Sequence, residues 1–270
     1  MTRPTSPARL FTRISRFQRL QHGLLLASFT VLALTGLPMR FPEVRWLGAV
    51  YAVVGGLPVA RVIHRSAALV MILDGLLHLI YVGGLLIRSR FDWRRAWPMV
   101  PARKDLRDFV ATSLYYLGRR RVLPAYDRFN FREKFDYFAV FWGLPVMMFS
   151  GLVLWFPVWF GNRLPDLAIG AATIAHSDEA ILAISAIVVW HLYNVHVAPG
   201  RFHRFRTWID GRISREEMIV AHPLEYERLT GETVEPAERQ ALVEQAGLPG
   251  MSEPGRTAVF LAPAARREEA

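Results

Sequence analysis

The sequence predicts an all-α integral membrane protein, a four-helix bundle with both termini in the cytoplasm, and three observations predict it. Of its 270 residues 52% are hydrophobic, more than an ordinary soluble domain carries. The apolar residues gather in four runs long enough, or nearly so, to cross a bilayer, at about 20–38, 62–87, 135–156 and 178–198. The net charge of +10 lies between those runs rather than along a soluble face, the pattern of cytoplasmic loops beside anionic lipid headgroups and not of a nucleic-acid-binding surface.

Cysteine is absent. That excludes disulfides, iron–sulfur clusters, thiolate zinc sites and covalent haem attachment on this chain. Any metal must be held by nitrogen or oxygen donors, or within a cofactor.

The first span follows Arg3, Arg9, Arg13, Arg16 and Arg19, as a signal peptide would, but Leu37-Pro38-Met39-Arg40 offers no small-residue cleavage site. An uncleaved span is predicted. Residues 43–57, with Trp46, Tyr51 and Gly55-Gly56, are too short for a second crossing and read as an interfacial periplasmic element. Spans two and three are joined by a segment holding Arg88, Arg90, Arg94, Arg95, Arg103, Lys104 and the Arg119-Arg120-Arg121 run, and the chain after span four opens with Arg201, Arg204, Arg206 and Arg212. Segments 39–61 and 157–177 are poor in Lys and Arg, which sets the orientation. The reading is thus a membrane domain over 1–223 and a charged, Pro- and Gly-rich cytoplasmic tail over 224–270, partly disordered. No internal repeat is evident.

Ionisable side chains inside spans are costly and point to function. Here they are His22, His64, Asp74, His78, His176, His191 and His196. His64 and His78 on span two are separated by about 21 Å of helix rise, and His176 and His191 on span four by about 22 Å. Each pair projects from roughly one face at two depths. A bis-histidine haem takes one imidazole from each of two facing helices, so His64 and His176 should meet at the periplasmic end. The deeper site uses His191 and one partner, and geometry alone leaves that partner open between His22 and His78. Asp74 and His78, four apart on one helix face, could serve a quinone as a proton relay. His196 is rotated about 140° from His191 and cannot share its haem; it would line a quinone pocket or bond a headgroup. His203 and His222 read as surface residues.

Several segments resemble the cytochrome b subunits of respiratory formate dehydrogenases and membrane-bound nickel-iron hydrogenases: Arg19-Leu20-Gln21-His22 with Ala33-Leu34-Thr35-Gly36, Arg61-Val62-Ile63-His64, Thr173-Ile174-Ala175-His176 and His191-Leu192-Tyr193. Ser150-Gly151-Leu152-Val153-Leu154-Trp155 and His222-Pro223-Leu224-Glu225-Tyr226 add to it. The resemblance covers most of residues 13–230 and implies two haems b, with His64 and His176 ligating the periplasmic iron and His22 and His191 the cytoplasmic one. The additional His78 and a span-four spacing one residue longer depart from the family pattern; with both deeper ligands on the long helices, His78 would replace His22. Gly36, Gly143 and Gly151 would admit close helix or porphyrin approach.

The chain is therefore expected to be the multi-pass inner-membrane subunit of a quinone-linked oxidoreductase. It would pass electrons between the quinone pool and a periplasmic partner: a multihaem c-type cytochrome, an iron–sulfur subunit or a hydrogenase. A free-standing b561-type cytochrome and a haem-bearing membrane anchor without quinone chemistry are the alternatives. A proton-conducting transporter is disfavoured, because no broken helix pair is visible.

Overall fold

The computed structural model describes residues 10–198 and 205–245. After a short strand β1 (Leu10–Thr12), helix α1 runs Arg16–Arg40. It starts where the Ser15 hydroxyl accepts the Gln18 N–H and the Gln18 side chain accepts the Ser15 N–H, a reciprocal pair that satisfies two otherwise orphaned donors. A ten-residue helix α2 (Arg45–Val54) packs against α1 and the long α3 (Leu57–Arg88), burying Leu47. Short α4 (Trp93–Ala96) and α5 (Arg103–Tyr116) lead to α6 (Phe131–Trp155), opened by Asn130 and Glu133 in the same reciprocal capping arrangement. Then come α7 (Pro157–Gly161) and α8, α-helical over Leu167–Ser185 and π-helical over Ala186–His191 and Tyr193–Val197.

Among the described residues, α1, α3, α6 and α8 are long and apolar enough to cross a membrane. The fourth begins at Leu167 rather than near 178, so His176 lies well inside it. Asp178 and Glu179 interrupt the apolar run in sequence without breaking the helix. The bundle is inverted relative to a soluble one. Its outer faces show Leu26, Leu73, Ile80, Phe149 and Val189, whereas Gln21, Ser28 and Thr35 of α1 and Gly143 and Ser150 of α6 are buried. That suits a lipid solvent, where small and polar groups hold helices together.

α1 packs along α3 and α6 along α8; the two hairpins meet through α3 with α6 and α1 with α8. The hairpins share one plan, which corrects the absence of a repeat read from sequence. Thr35-Gly36-Leu37 near the end of α1 corresponds to Ser150-Gly151-Leu152 near the end of α6. Each helix stops at a phenylalanine of similar backbone geometry, Phe41 (φ −125°, ψ 65°) and Phe156 (φ −120°, ψ 57°), followed by Pro42 and Pro157. His64 of α3 corresponds to His176 of α8. The π-helical turn at Ala186–His191 takes up the additional residue of α8, as single inserted residues do, and returns His191 to the level and face that His78 has on α3.

At the end of the bundle where α1 starts and α3 finishes, the basic end, lies a small module of the described residues. β1 pairs antiparallel with β2 (Arg212–Ser214), Phe11 opposite Ile213. Helices α9 (Phe205–Asp210), α10 (Arg215–Ala221), α11 (Pro223–Thr230) and α12 (Pro236–Gln245) complete it around Ile213, Met218, Ile219 and Tyr226. Glu225, almost fully buried, accepts from Arg13 at 3.0 Å and Arg128 at 2.5 Å. Burial lowers the Arg13 pKa, against the raising influence of Glu133 and Glu225. Arg239 donates to the carbonyls of Leu123 and Pro124. The start of the tail is therefore folded over 223–245. His222, read as a surface residue, is instead buried with Nδ1 2.9 Å from the Asp127 carbonyl oxygen. His203 lies outside the described residues.

Candidate cofactor sites

At the far end of the bundle the His64 and His176 rings face each other with centroids 6.4 Å apart. Each is held from behind by a hydroxyl of the other helix in its own hairpin: Thr35 Oγ1 is 2.9 Å from His64 Nδ1, and Ser150 Oγ 3.0 Å from His176 Nδ1. These hydroxyls already donate to the Val31 and Val146 carbonyls. With a single proton each, they accept from Nδ1–H of the histidines, which leaves Nε2 of both rings with a free lone pair. The adjoining glycines make the approach possible. A Cβ at Gly36 would lie 3.2 Å from His64 Cε1, and one at Gly151 3.1 Å from His176 Cε1.

Toward the basic end, His22 and His191 face each other at the same centroid distance, 6.4 Å, with ring planes 34° apart. Here the orienting group is a carboxylate: Asp136 Oδ2 lies 2.9 Å from His191 Nδ1. Trp208 of α9 packs edge-on against the His22 ring at 4.6 Å.

Both pairs fit one iron between two imidazoles. With metal–nitrogen bonds of about 2.0–2.1 Å and each ring centre a little over 1 Å behind its nitrogen, opposed rings stand about 6.4 Å apart. Orienting partners on Nδ1 are what metal-bound histidines require. The structure thus brings His64 to His176 and His22 to His191. It sets His78 elsewhere: its Nε2 is 2.8 Å from the Tyr137 hydroxyl, its Nδ1 3.4 Å from Gln21 Oε1, and Trp97 Nε1 donates to the same hydroxyl at 2.8 Å. Asp74, one turn before His78, is buried with Oδ1 unpartnered, as is Gln21 Nε2. Such atoms cost about 1–3 kcal/mol each when left unsatisfied.

Residues 13–206 match the family model for prokaryotic cytochrome b561. The chain belongs to the prokaryotic cytochrome b561 family. This cytochrome is accordingly a transmembrane haem-b protein of electron transport and a subunit of an oxidoreductase. It is similar to the cytochrome b556(Fdn) subunit of the nitrate-inducible formate dehydrogenase of Escherichia coli K12, 20% identical over 83% of this chain and 94% of that one. It is also similar to the formate dehydrogenase cytochrome b556 subunit of Haemophilus influenzae, 23% identical over 88% and 92%, and to the E. coli K12 cytochrome b556(fdo) subunit, 22% identical over 82% and 94%.

Sequence reasoning had the seven ionisable candidates of the cytochrome but missed Thr35, Ser150 and Asp136, which orient the histidines, Tyr137, which engages His78, and Trp97, which donates to Tyr137. A signal for the hydroxyls was present, since Thr35-Gly36-Leu37 and Ser150-Gly151-Leu152 stand at equal distances before Phe41-Pro42 and Phe156-Pro157.

Proposed function

We propose that the cytochrome holds two haems b, one between His64 and His176 and one between His22 and His191, and transfers electrons between a periplasmic redox partner and the quinone pool. The observation that carries this reading is the equal 6.4 Å separation of two opposed histidine pairs at two levels of one bundle. Bound haem supplies one-electron redox chemistry. The chain's own part is ligation, orientation and burial. Thr35 and Ser150 fix the far-end rings through neutral hydroxyls, and Asp136 fixes His191 through a charge. His22 is preferred over His78 as the partner of His191 because its ring is the one that faces it.

Orientation follows from charge. Arg88, Arg90, Arg94, Arg95 and the Arg119–Arg121 run lie at the basic end, which on the positive-inside rule faces the cytoplasm of a bacterial inner membrane. His64 and His176 then serve the periplasmic side and His22 and His191 the cytoplasmic side, where a quinone would exchange electrons, with Asp74 and His78 as candidates for its protons. The relatives named as formate dehydrogenase subunits favour a catalytic complex as the partner.

Anaerobic mixing of the purified, haem-loaded chain with decylubiquinol tests the reading. Reduction of both haems without any other subunit supports it. Haems that respond to dithionite but not to quinol would leave an electron-transfer anchor without direct quinone chemistry.

A further inference from the structure

Helix α5 presents a face that neither the bundle nor the module at its basic end covers. At about 100° per residue, Asp108, Ala111, Thr112 and Tyr115 share one side of this helix, and that side is buried. Segment 123–126 lies against it: Thr112 Oγ1 is 2.6 Å from the Tyr126 hydroxyl, and Lys104 Nζ donates to the Ala125 carbonyl at 2.7 Å. The opposite side is apolar and open, with Leu106, Phe109, Val110, Tyr116 and the capping Leu117 all exposed. A contiguous apolar patch rimmed by polar residues marks a binding face.

Two observations say what covers it. The first is continuity with a span. Phe109 meets Phe131 edge-on, centroids 5.6 Å apart, and from Phe131 the exposed side chains of Phe135, Phe138 and Trp142 continue along one side of α6. Lys134 also donates to Asp105 at 2.9 Å, so α5 is held beside the first turn of a helix that enters the bilayer. The second is charge. Arg103 and Arg107 border the face and Arg119, Arg120 and Arg121 follow the helix cap, and none of the five has an ion-pair partner among the described residues. Along this border Leu106, Val110, Ala111 and Leu114 line a groove of 290 Å³ together with Arg107 and Arg120. Its walls are aliphatic and its charge is cationic, the complement of an anionic amphiphile.

We propose that α5 lies in the plane of the bilayer surface at the basic end, with its apolar face among the acyl chains and its groove holding an anionic glycerophospholipid whose phosphate Arg107 and Arg120 bind. A helix with one apolar face and a basic rim takes this position in a membrane, and each arginine adds attraction to anionic headgroups. The connection is short of alternatives, because α5 is tethered between two spans, α3 and α6, at the end where both meet the surface. A water-soluble partner would have to cover this face at the level where α6 already turns Phe135 and Phe138 outward. The site is independent of the haem pairing and of the quinone.

The test has two arms, both on the full haem-loaded chain. Because the chain has no cysteine, Leu117→Cys carries a nitroxide label at one defined place on the apolar face. In nanodiscs of phosphatidylethanolamine and phosphatidylglycerol, dissolved oxygen should relax this label more effectively than a water-soluble nickel chelate; the reverse would put the face in water, open to a soluble partner, and overturn the proposal. In mild detergent, calorimetric titration with dioctanoylphosphatidylglycerol should show binding that weakens about fivefold in each of Arg107→Gln and Arg120→Gln, with wild-type haem content in both variants. Equal affinity for dioctanoylphosphatidylcholine, or unchanged affinity in both variants, would overturn the lipid site. Displacement of the lipid by inorganic phosphate, beyond that by chloride of equal ionic strength, would make it a site for free anions and overturn it as well.

Discussion

Asp136→Asn should separate the two haems electrically. The Asp136 carboxylate accepts the His191 Nδ1–H at 2.9 Å, with both side chains only about a quarter exposed. A hydrogen bond to a charged acceptor contributes roughly 1.5–3 kcal/mol, against about 1 for a neutral pair. The isosteric amide can accept the same proton but forfeits about 1 kcal/mol, the low end being appropriate to this partial exposure. The carboxylate favours the more positive, oxidised state of an iron bound to His191, so its neutralisation raises that potential. At 59 mV per tenfold change for a one-electron couple, the rise is roughly 40 mV. The far-end pair, backed by Thr35 and Ser150, should not move. Potentiometric titration of the haem α-band, resolved into two one-electron components, measures this. No shift in either component, a downward shift, or equal shifts of both components would refute the reasoning.

Deleting Val188 removes the residue that the π-helical turn absorbs and should rewind the segment as a regular α-helix with His191 on the same face, so two haems per chain should be retained; an alanine inserted after Val188 should instead rotate His191 by about 100° and halve the haem content, with the far-end signal retained. Gly151→Val puts a branched side chain where even a Cβ lies 3.1 Å from His176 Cε1, so the far-end haem should be lost selectively, as seen by haem assay and by electron paramagnetic resonance of the remaining centre. Burial raises the Asp127 pKa, but the hydrogen bonds from Arg228 and from the Arg128 backbone outweigh it, and the net value is lowered. A carboxyl with a folded value below its unfolded one, about 3.9, stabilises the fold fully above that value and loses the contribution as pH falls through the folded one; proteolysis of the 205–245 module should accelerate in that acidic range, and much less additionally in Arg228→Ala.

The four spans were legible because length and hydropathy alone decide which helices can cross a bilayer. Their bounds were not. Asp178 and Glu179 look like a span's end in sequence, yet Glu179 fits against Gly143 of α6, where a Cβ would stand 2.6 Å from its carboxylate oxygen. The histidines stood out because such residues are rare in apolar runs, and their two depths followed from helical rise. The choice between His22 and His78 was not geometric in sequence, because both reach the level of His191; it depends on which neighbour engages His78, namely Tyr137. The repeat stayed hidden because so few of its positions are constrained: lipid-facing residues need only be apolar, while hydroxyl, glycine, histidine and the Phe-Pro stop carry the plan. The folded start of the tail escaped notice because it is held by buried ion pairs, Glu225 with Arg13 and Arg128, whose partners are remote in sequence and read individually as surface charge.

The most direct test of the account is a pyridine haemochrome assay on the purified chain and on its His22→Ala and His78→Ala variants. The account predicts two haems b per chain, one lost in His22→Ala and none in His78→Ala. Absence of haem from the intact chain, or loss only in His78→Ala, would contradict it.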